Sequence, residues 1–421
     1  MAFKKRIFFF TFFISVVVFS QEKQIENVIF KGLQKTKISF LKRFLETKSN
    51  SRLDSSQLEK DIIRLKRLPA FTNAAYQIIE KKNKEVDVVF LMEENFTIIP
   101  DLNFWTTTNK RFAYKIGLYD YNFLGKNITF GGFYQYNGFD SYGINFKAPN
   151  LFSRNWGLAI NHQNWTSEEP LFFNNQTANY KYNNVSIEAL ALYQINFKNE
   201  INFGINFFTE KYEYLFGATD ASIPQNLNVN KVLFKFVYSY DNLDYFYQYI
   251  NGFKSVLQTQ YVSSKNDFQE NFLIAWNDFF YFRRIGERGN WANRMRFGLS
   301  SNQDSPFAPF TLDNNINLRG VGILVDRGTG SIVLNSEYRY SFVDEKNFAV
   351  QSNFFVDAGS WRNPGKSLGD FLTEKNIRVF TGVGLRFISK KIYNATFRID
   401  YGIGLTKNSA QGFVFGIGQY F

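Results

Sequence analysis

Tyr393-Asn394-Ala395-Thr396-Phe397-Arg398-Ile399-Asp400-Tyr401-Gly402-Ile403-Gly404-Leu405 alternates without a break. The odd positions are apolar or aromatic. The even positions are polar, charged or glycine. A repeat of two is the side-chain period of a β-strand, so one face of this segment suits an apolar medium and the other suits water. Two architectures accept such a strand. A soluble sandwich buries the apolar face in its core, and a transmembrane barrel turns it to lipid.

Composition and targeting favour the barrel. The chain has 421 residues, 51 of them Phe and 24 Tyr, and aromatics make up 19%. Yet the mean hydropathy is -0.27, the signature of strands that alternate between lipid and lumen. Lys4, Lys5 and Arg6 precede an apolar run from Ile7 to Phe19, with Ser20 before Gln21. Residues 1–20 therefore read as a secretory signal peptide, and with no cysteine after it the mature N-terminus carries no lipid anchor. No later run approaches the 18 or so apolar residues of a spanning helix. An exported chain that enters a membrane without helices must do so as a closed barrel, because only closure satisfies every backbone group in lipid.

The same inventory excludes other chemistry. With no cysteine and the single histidine His162, disulfide frameworks, thiolate metal sites and His-based catalysis are out. His162, in a strand pattern, reads as packing. Asp326-Arg327-Gly328-Thr329-Gly330 lacks the Lys-Ser/Thr and helix of a phosphate loop and reads as a turn. Glu168-Glu169-Pro170 reads as a charged loop. The formal charge is +12, but Lys and Arg are scattered, and aromatics at a period of two suit membrane girdles better than nucleic-acid stacking. We expect a noncatalytic protein with no catalytic residue, no cofactor, no metal and no nucleic-acid partner.

Residues 22–95 differ from the rest. A short strand ends at Gly32. Ile38, Leu41, Phe44 and Leu45 then recur at helical spacing, as do Leu58, Ile62, Leu65 and Leu68 after the start signal Asp54-Ser55-Ser56 and before Pro69. Two strands follow. The order strand, helix, helix, strand, strand predicts a small α+β domain. From residue 97 to 421 strand follows strand. Candidates begin near Thr97, Arg111, Asn127, Ser141, Trp156, Asn183, Glu200, Lys231, Gly252, Phe268, Trp291, Gly330, Asn347, Ile377, Tyr393 and Gln411. The fold class is thus mainly β, an antiparallel transmembrane barrel of about sixteen strands. Residues 97–107 and 413–421 are expected to meet and close it, with Phe413, Phe415, Ile417 and Phe421 sharing one face of the last strand.

Alternation also places acids in the lumen. Within 332–342 the polar face carries Asn335, Glu337 and Arg339. Within 347–359 it carries Gln351, Asn353 and Asp357. The long connection between Ser301 and Gly330 contains Asn317-Leu318-Arg319-Gly320-Val321-Gly322. Folded inward, Arg319 could address both Glu337 and Asp357, since a guanidinium fork serves two carboxylates, and Gly320 would let the tip bend. Spacing alone leaves open that Arg319 is an ordinary exposed loop cation.

These residues resemble a known family. Residues 26–94, with Ile25-Glu26-Asn27-Val28-Ile29-Phe30-Lys31-Gly32 and Leu68-Pro69-Ala70-Phe71, look like one POTRA domain. Tyr121-Asn122-Phe123-Leu124-Gly125, Ala148-Pro149-Asn150-Leu151-Phe152, Asp241-Asn242-Leu243-Asp244 with Gly252, and Phe355-Val356-Asp357-Ala358-Gly359 resemble the barrel of the outer-membrane protein assembly factors, the superfamily that includes BamA, TamA and the mitochondrial sorting-machinery barrel. Arg319-Gly320 resembles that family's inward-loop motif, with Val321 where an aromatic is usual. The resemblance implies an outer membrane of Gram-negative type, a periplasmic POTRA domain, and a clamp of Arg319, Gly320, Glu337 and Asp357. It further implies insertion of other outer-membrane proteins by strand templating at a lateral seam. The implied partners are outer-membrane lipid, unfolded client proteins and other assembly-complex subunits. Two other readings stay open: a two-partner secretion pore or passive porin, and an accessory subunit. Residues 21–25 leave little space for a plug helix, which weighs against the two-partner pore.

Overall fold

The computed structural model describes residues 23–106, 112–173, 176–219, 223–264, 270–302, 307–313, 316–321, 326–393, 395–407 and 409–421. The expected signal segment 1–20 lies outside them, as do Pro306, Gly322 and Asn394.

The N-terminal domain runs β1 (Gln24–Lys31), α1 (Ile38–Phe44), α2 (Ser55–Lys66), β2 (Phe71–Glu80), β3 (Glu85–Glu94). Its sheet order is β1-β3-β2, with β1 parallel and β2 antiparallel to the central strand. Asp54 caps α2 by accepting the N–H groups of Ser56 and Gln57, which fills orphan donors at the helix start. Phe40, Leu41, Leu58, Leu65, Val86, Val88 and Phe90 form the core. Asp61 is fully buried on α2 and accepts the Thr47 N–H at 2.8 Å, tying the inter-helix loop to the second helix.

The remaining strands are β4 (Ile98–Thr106), β5 (Phe112–Phe123), β6 (Ile128–Tyr136), β7 (Asp140–Ala148), β8 (Trp156–Phe173), β9 (Gln176–Asn196), β10 (Asn199–Gly217), β11 (Asn226–Phe246), β12 (Tyr249–Ser264), β13 (Phe272–Ile285), β14 (Gly289–Ser300), β15 (Phe310–Thr311), β16 (Arg327–Gly328), β17 (Gly330–Asp344), β18 (Phe348–Arg362), β19 (Ile377–Ser389), β20 (Thr396–Gly404) and β21 (Gln411–Ile417). Among the described residues, sixteen of these close an antiparallel barrel in which each strand neighbours the next; β15 and β16 form a separate ribbon in the connection between β14 and β17. The mainly β fold and its sixteen-stranded barrel agree with the sequence reading.

The alternation is the barrel's inside and outside. On β18, Phe354 is 57% exposed while its neighbours Phe355 and Asp357 are fully buried. Val383, Phe397 and Phe413 face outward in the same way. Leaving this much aromatic and aliphatic surface in water would forfeit about 25 cal/mol per Å², so the outer face suits an apolar medium.

Four details depart from the sequence reading. Strands β8 to β11 have 18, 21, 19 and 21 residues, so the expected starts Asn183 and Lys231 fall inside strands. A count based on ten-residue spans stops where the lipid-facing pattern fades, but the backbone pairing continues. For the same reason Glu168-Glu169-Pro170 lies in β8 and not in a loop, and Glu169 pairs with Arg327. Arg327–Gly328 is strand β16, paired with Phe310–Thr311, where a turn was expected. Finally, β21 stops at Ile417: Gly418 has φ +94, a left-handed conformation that redirects the chain. Phe421 therefore does not share the outward face of Phe413. Its ring lies 6.5 Å from inward-facing Phe282.

The small domain seats against one end of the barrel. Lys35 pairs with Asp120 at 2.7 Å, and Asn122 donates to Thr36 at 2.9 Å. The Lys37 N–H bonds the Gly125 carbonyl at 2.9 Å. Arg43 donates to the Asn150 carbonyl at 2.7 Å, and Arg67 to the Leu243 carbonyl at 3.2 Å. A Cβ at Gly125, which has φ +69, would stand 2.1 Å from the Lys35 carbonyl oxygen. That contact gives the Tyr121-to-Gly125 motif a physical reason.

Candidate functional site: an ionic clamp beside a narrow seam

The connection between β14 and β17 folds into the barrel. Leu312, Leu318 and Val321 pack with Val333, Trp361 and Phe380, so aliphatic side chains supply the anchor where the related motif has an aromatic. Asn317 donates to the Thr311 carbonyl at 2.8 Å, closing the turn that presents the next two residues. Gly320, at φ +94, lies against Gly402 of β20: a Cβ there would be 2.8 Å from the Gly402 carbonyl.

This delivers Arg319, fully buried, to the acids. Its Nε and Nη2 donate to the two Asp357 oxygens at 2.8 and 2.9 Å, and its backbone N–H adds a third bond at 3.0 Å. Nη1 bonds Glu337 and lies 3.8 Å from Asp400. The guanidinium is sandwiched by aromatic faces, with Cζ 3.6 Å from the Phe355 centroid and 4.5 Å from that of Tyr420. Bidentate geometry and stacking are what arginine can do and lysine cannot.

The cluster is larger than the four residues singled out from sequence. Arg339 bonds the other Glu337 oxygen. Arg386 reaches Asp400 at 2.8 Å and Glu337 at 3.7 Å. Asn335 bridges the Asn317 carbonyl and Asp357 at 2.8 and 2.9 Å. All of these side chains are buried. Strands β17, β18, β19 and β20 are thereby fastened to one loop by a continuous ionic network. Asp400 and Arg386 were missed as clamp members, although the alternation of 393–405 already turned Asp400 inward. Tyr420 had no periodic signal, because it lies beyond Gly418 and outside any strand.

Next to this wall lies the barrel closure. Among the described residues, β21 pairs with β4 at two positions only, Phe415 with Phe104 and Gly416 with Asn103. The neighbouring β20–β21 pairing holds seven residue pairs and β4–β5 nine. Residues 418–421, which could have prolonged the seam, turn into the lumen. There Arg339 donates to the Phe421 carbonyl at 3.2 Å, and the Tyr420 ring lies under Arg319 and Arg398. Of the seam residues named from sequence, Phe413, Phe415 and Ile417 stay in β21 and Phe421 leaves it. The edge of β4 from Ile98 to Leu102 is left without a partner in β21.

Comparison with known proteins agrees with this architecture. Residues 23–95 match the family model described as POTRA: Surface antigen variable number repeat. No curated protein sequence matches the chain. Among the solved structures that resemble it, three cover 94% of its length. One is BamA from Haemophilus ducreyi lacking POTRA domains 1-3, at 16% identity and TM-score 0.57 over 84% of that chain. The others are CdiB from Acinetobacter baumannii, at 13% and 0.62 over 73%, and CdiB from Escherichia coli, at 11% and 0.63 over 77%. The class is therefore a POTRA domain joined to a sixteen-stranded barrel. The particular fold is the one shared with BamA and CdiB.

Proposed function

We propose that this protein is an outer-membrane barrel, with its POTRA domain in the periplasm, that helps insert other outer-membrane proteins. Its partners in this reading are membrane lipid, unfolded client chains and other assembly-complex subunits. The work is done by backbone pairing and not by a reaction at an active site.

The observation that carries the reading is the two-pair seam. Unpaired N–H and C=O groups along an edge are a template for another strand, and a membrane offers no water to satisfy them. β4 presents such an edge at Ile98, Ile99, Asp101 and Leu102, interrupted at Pro100, which has no N–H to offer. The clamp stiffens the adjacent wall from β17 to β20, so strain concentrates on β21 and its junction with β4. The outer strands of the POTRA sheet, β1 and β2, offer further edges to an extended client.

The chain contains no cysteine, which makes a lock straightforward. Phe104→Cys with Phe415→Cys places two thiols on directly opposed residues, within disulfide range. In a reconstituted insertion assay the oxidised double variant should lose client insertion and recover it on reduction. Full activity of the oxidised form would rule out templating at this seam.

A secretion pore of the two-partner type is the second reading. The likeness to the two CdiB structures, with TM-scores of 0.62 and 0.63 against 0.57 for BamA, favours it. It predicts steady conductance and export of one substrate without client insertion.

A further inference from the structure

The barrel wall is closed a second time below β21. Phe96, between the POTRA domain and β4, forms a parallel β-bridge with Ile392 in the β19–β20 turn. The Phe96 N–H donates to the Lys391 carbonyl at 3.2 Å, and the Tyr393 N–H donates to the Phe96 carbonyl at 3.1 Å. The Tyr393 ring adds a contact to Tyr121 of β5, with centroids 5.0 Å apart. The base of β4 and β5 is thus joined to the base of β20. The join bypasses β21, whose last paired residue, Ile417, sits opposite Phe397 of β20.

The residues on either side hold Phe96 in place. Asn95 is fixed to the POTRA domain: its N–H donates to the Ala70 carbonyl at 2.8 Å and its side chain to the Pro69 carbonyl at 3.1 Å. Thr97 is fixed to β5: its carbonyl accepts the Tyr121 N–H at 2.9 Å and its hydroxyl donates to Asp120 at 2.9 Å. The seam above has no such support. Beyond its two pairs at Asn103 and Phe104, the next residues of β4 are Trp105 and Thr106. Among the described residues they have no partner in β21, although Val414 and Phe413 come next in register. A short ladder frays from its free end, and a point pinned on both sides opens last.

We propose that this bridge is the hinge of the seam. β4 parts from β21 starting at the end far from the POTRA domain and pivots about Phe96, which stays bonded to the β19–β20 turn. The inference rests on the seam reading above, in that β4 and β21 separate at all. A hinge at this position keeps the first strand tied to the base of β20 while its far end moves. The wall then opens as a wedge, and its circle is not cut through.

The test measures distances between spin labels on the full chain in lipid vesicles. The chain has no cysteine of its own, so introduced thiols alone carry the labels. Ile98→Cys with Phe397→Cys samples the wall beside the bridge, and Phe112→Cys with Phe413→Cys samples the far end; all four residues are exposed. The near pair should give one narrow distance. The far pair should spread by at least about 5 Å, one strand spacing. Phe96→Pro and Tyr393→Pro each remove one donor of the bridge and should spread the near pair as well, whereas Tyr393→Phe, which keeps the main chain and the ring, should leave it narrow. Equal widths for the two pairs in the otherwise unchanged chain overturn the hinge, and that comparison decides even if the proline variants do not fold. A near pair that stays narrow in folded proline variants overturns the bridge as its cause. No client is present, so a chain that lacks insertion activity still gives the answer, and an inserting chain with equal widths keeps the function and loses the hinge.

Discussion

Arg319 replaced by alanine leaves Glu337 and Asp357 buried without their main counter-charge. Breaking a buried pair in this way costs about 3–5 kcal/mol. We expect Arg319→Ala to lower the unfolding free energy of the barrel by that amount, seen as a lower urea midpoint in heat-modifiable gel mobility. Arg319→Lys should recover only part, because a compact ammonium lacks the planar fork that grips Asp357 bidentately while reaching Glu337, and the flat face that stacks on Phe355. Gly320→Ala should destabilise by more than about 1 kcal/mol, since its φ is positive and its Cβ would press on Gly402; the same gel series measures it. At this scale sequence placed the acids well. A strict period of two sends Glu337 and Asp357 to one side whatever the barrel's curvature. It could not show that Asp400, on a strand two further round, bends close enough to join them, nor that Phe355 and Tyr420 stack on the cation.

Strand existence was legible because each lipid-crossing segment repeats at two residues. Strand length was not, since β8 to β11 continue past the level at which one face must be apolar. The end of β21 was misjudged because Phe421 keeps the parity of Phe413 in the sequence while Gly418 breaks it in space. Helix ends were easier to read. Asp54→Ala should cost the POTRA domain about 1 kcal/mol through the lost cap, measurable by chemical denaturation. On β3, a hydrogen bond from Lys81 holds the Asp87 carboxyl below the ordinary carboxylate range. A depressed folded-state value stabilises above the unfolded value, near pH 4, and the benefit is lost as pH falls through the lower one. Denaturation midpoints of the domain taken below pH 4 should therefore decline less steeply in Asp87→Asn than in the parent. A parallel slope would exclude the pairing.

For the whole molecule, the division into 22–95 and 97–421 could be read from the change of period. The docking of one part on the other could not. Lys37 to Gly125, Arg43 to Asn150 and Arg67 to Leu243 all use main-chain atoms, which leave no pattern in side chains. Gly125→Leu should separate the two parts, seen as faster protease cleavage between residues 95 and 97 with barrel mobility unchanged. Depletion in cells followed by an outer-membrane proteome distinguishes the two functional readings: loss of many barrels indicates insertion, and loss of one exported protein indicates secretion. The buried network has a genetic corollary. Its charges stabilise one another as a set, so a lesion in one partner removes most of the reason for keeping the next. Substitutions among these positions will then show strong epistasis, and a lineage that has lost one charge is free to discard its neighbours together.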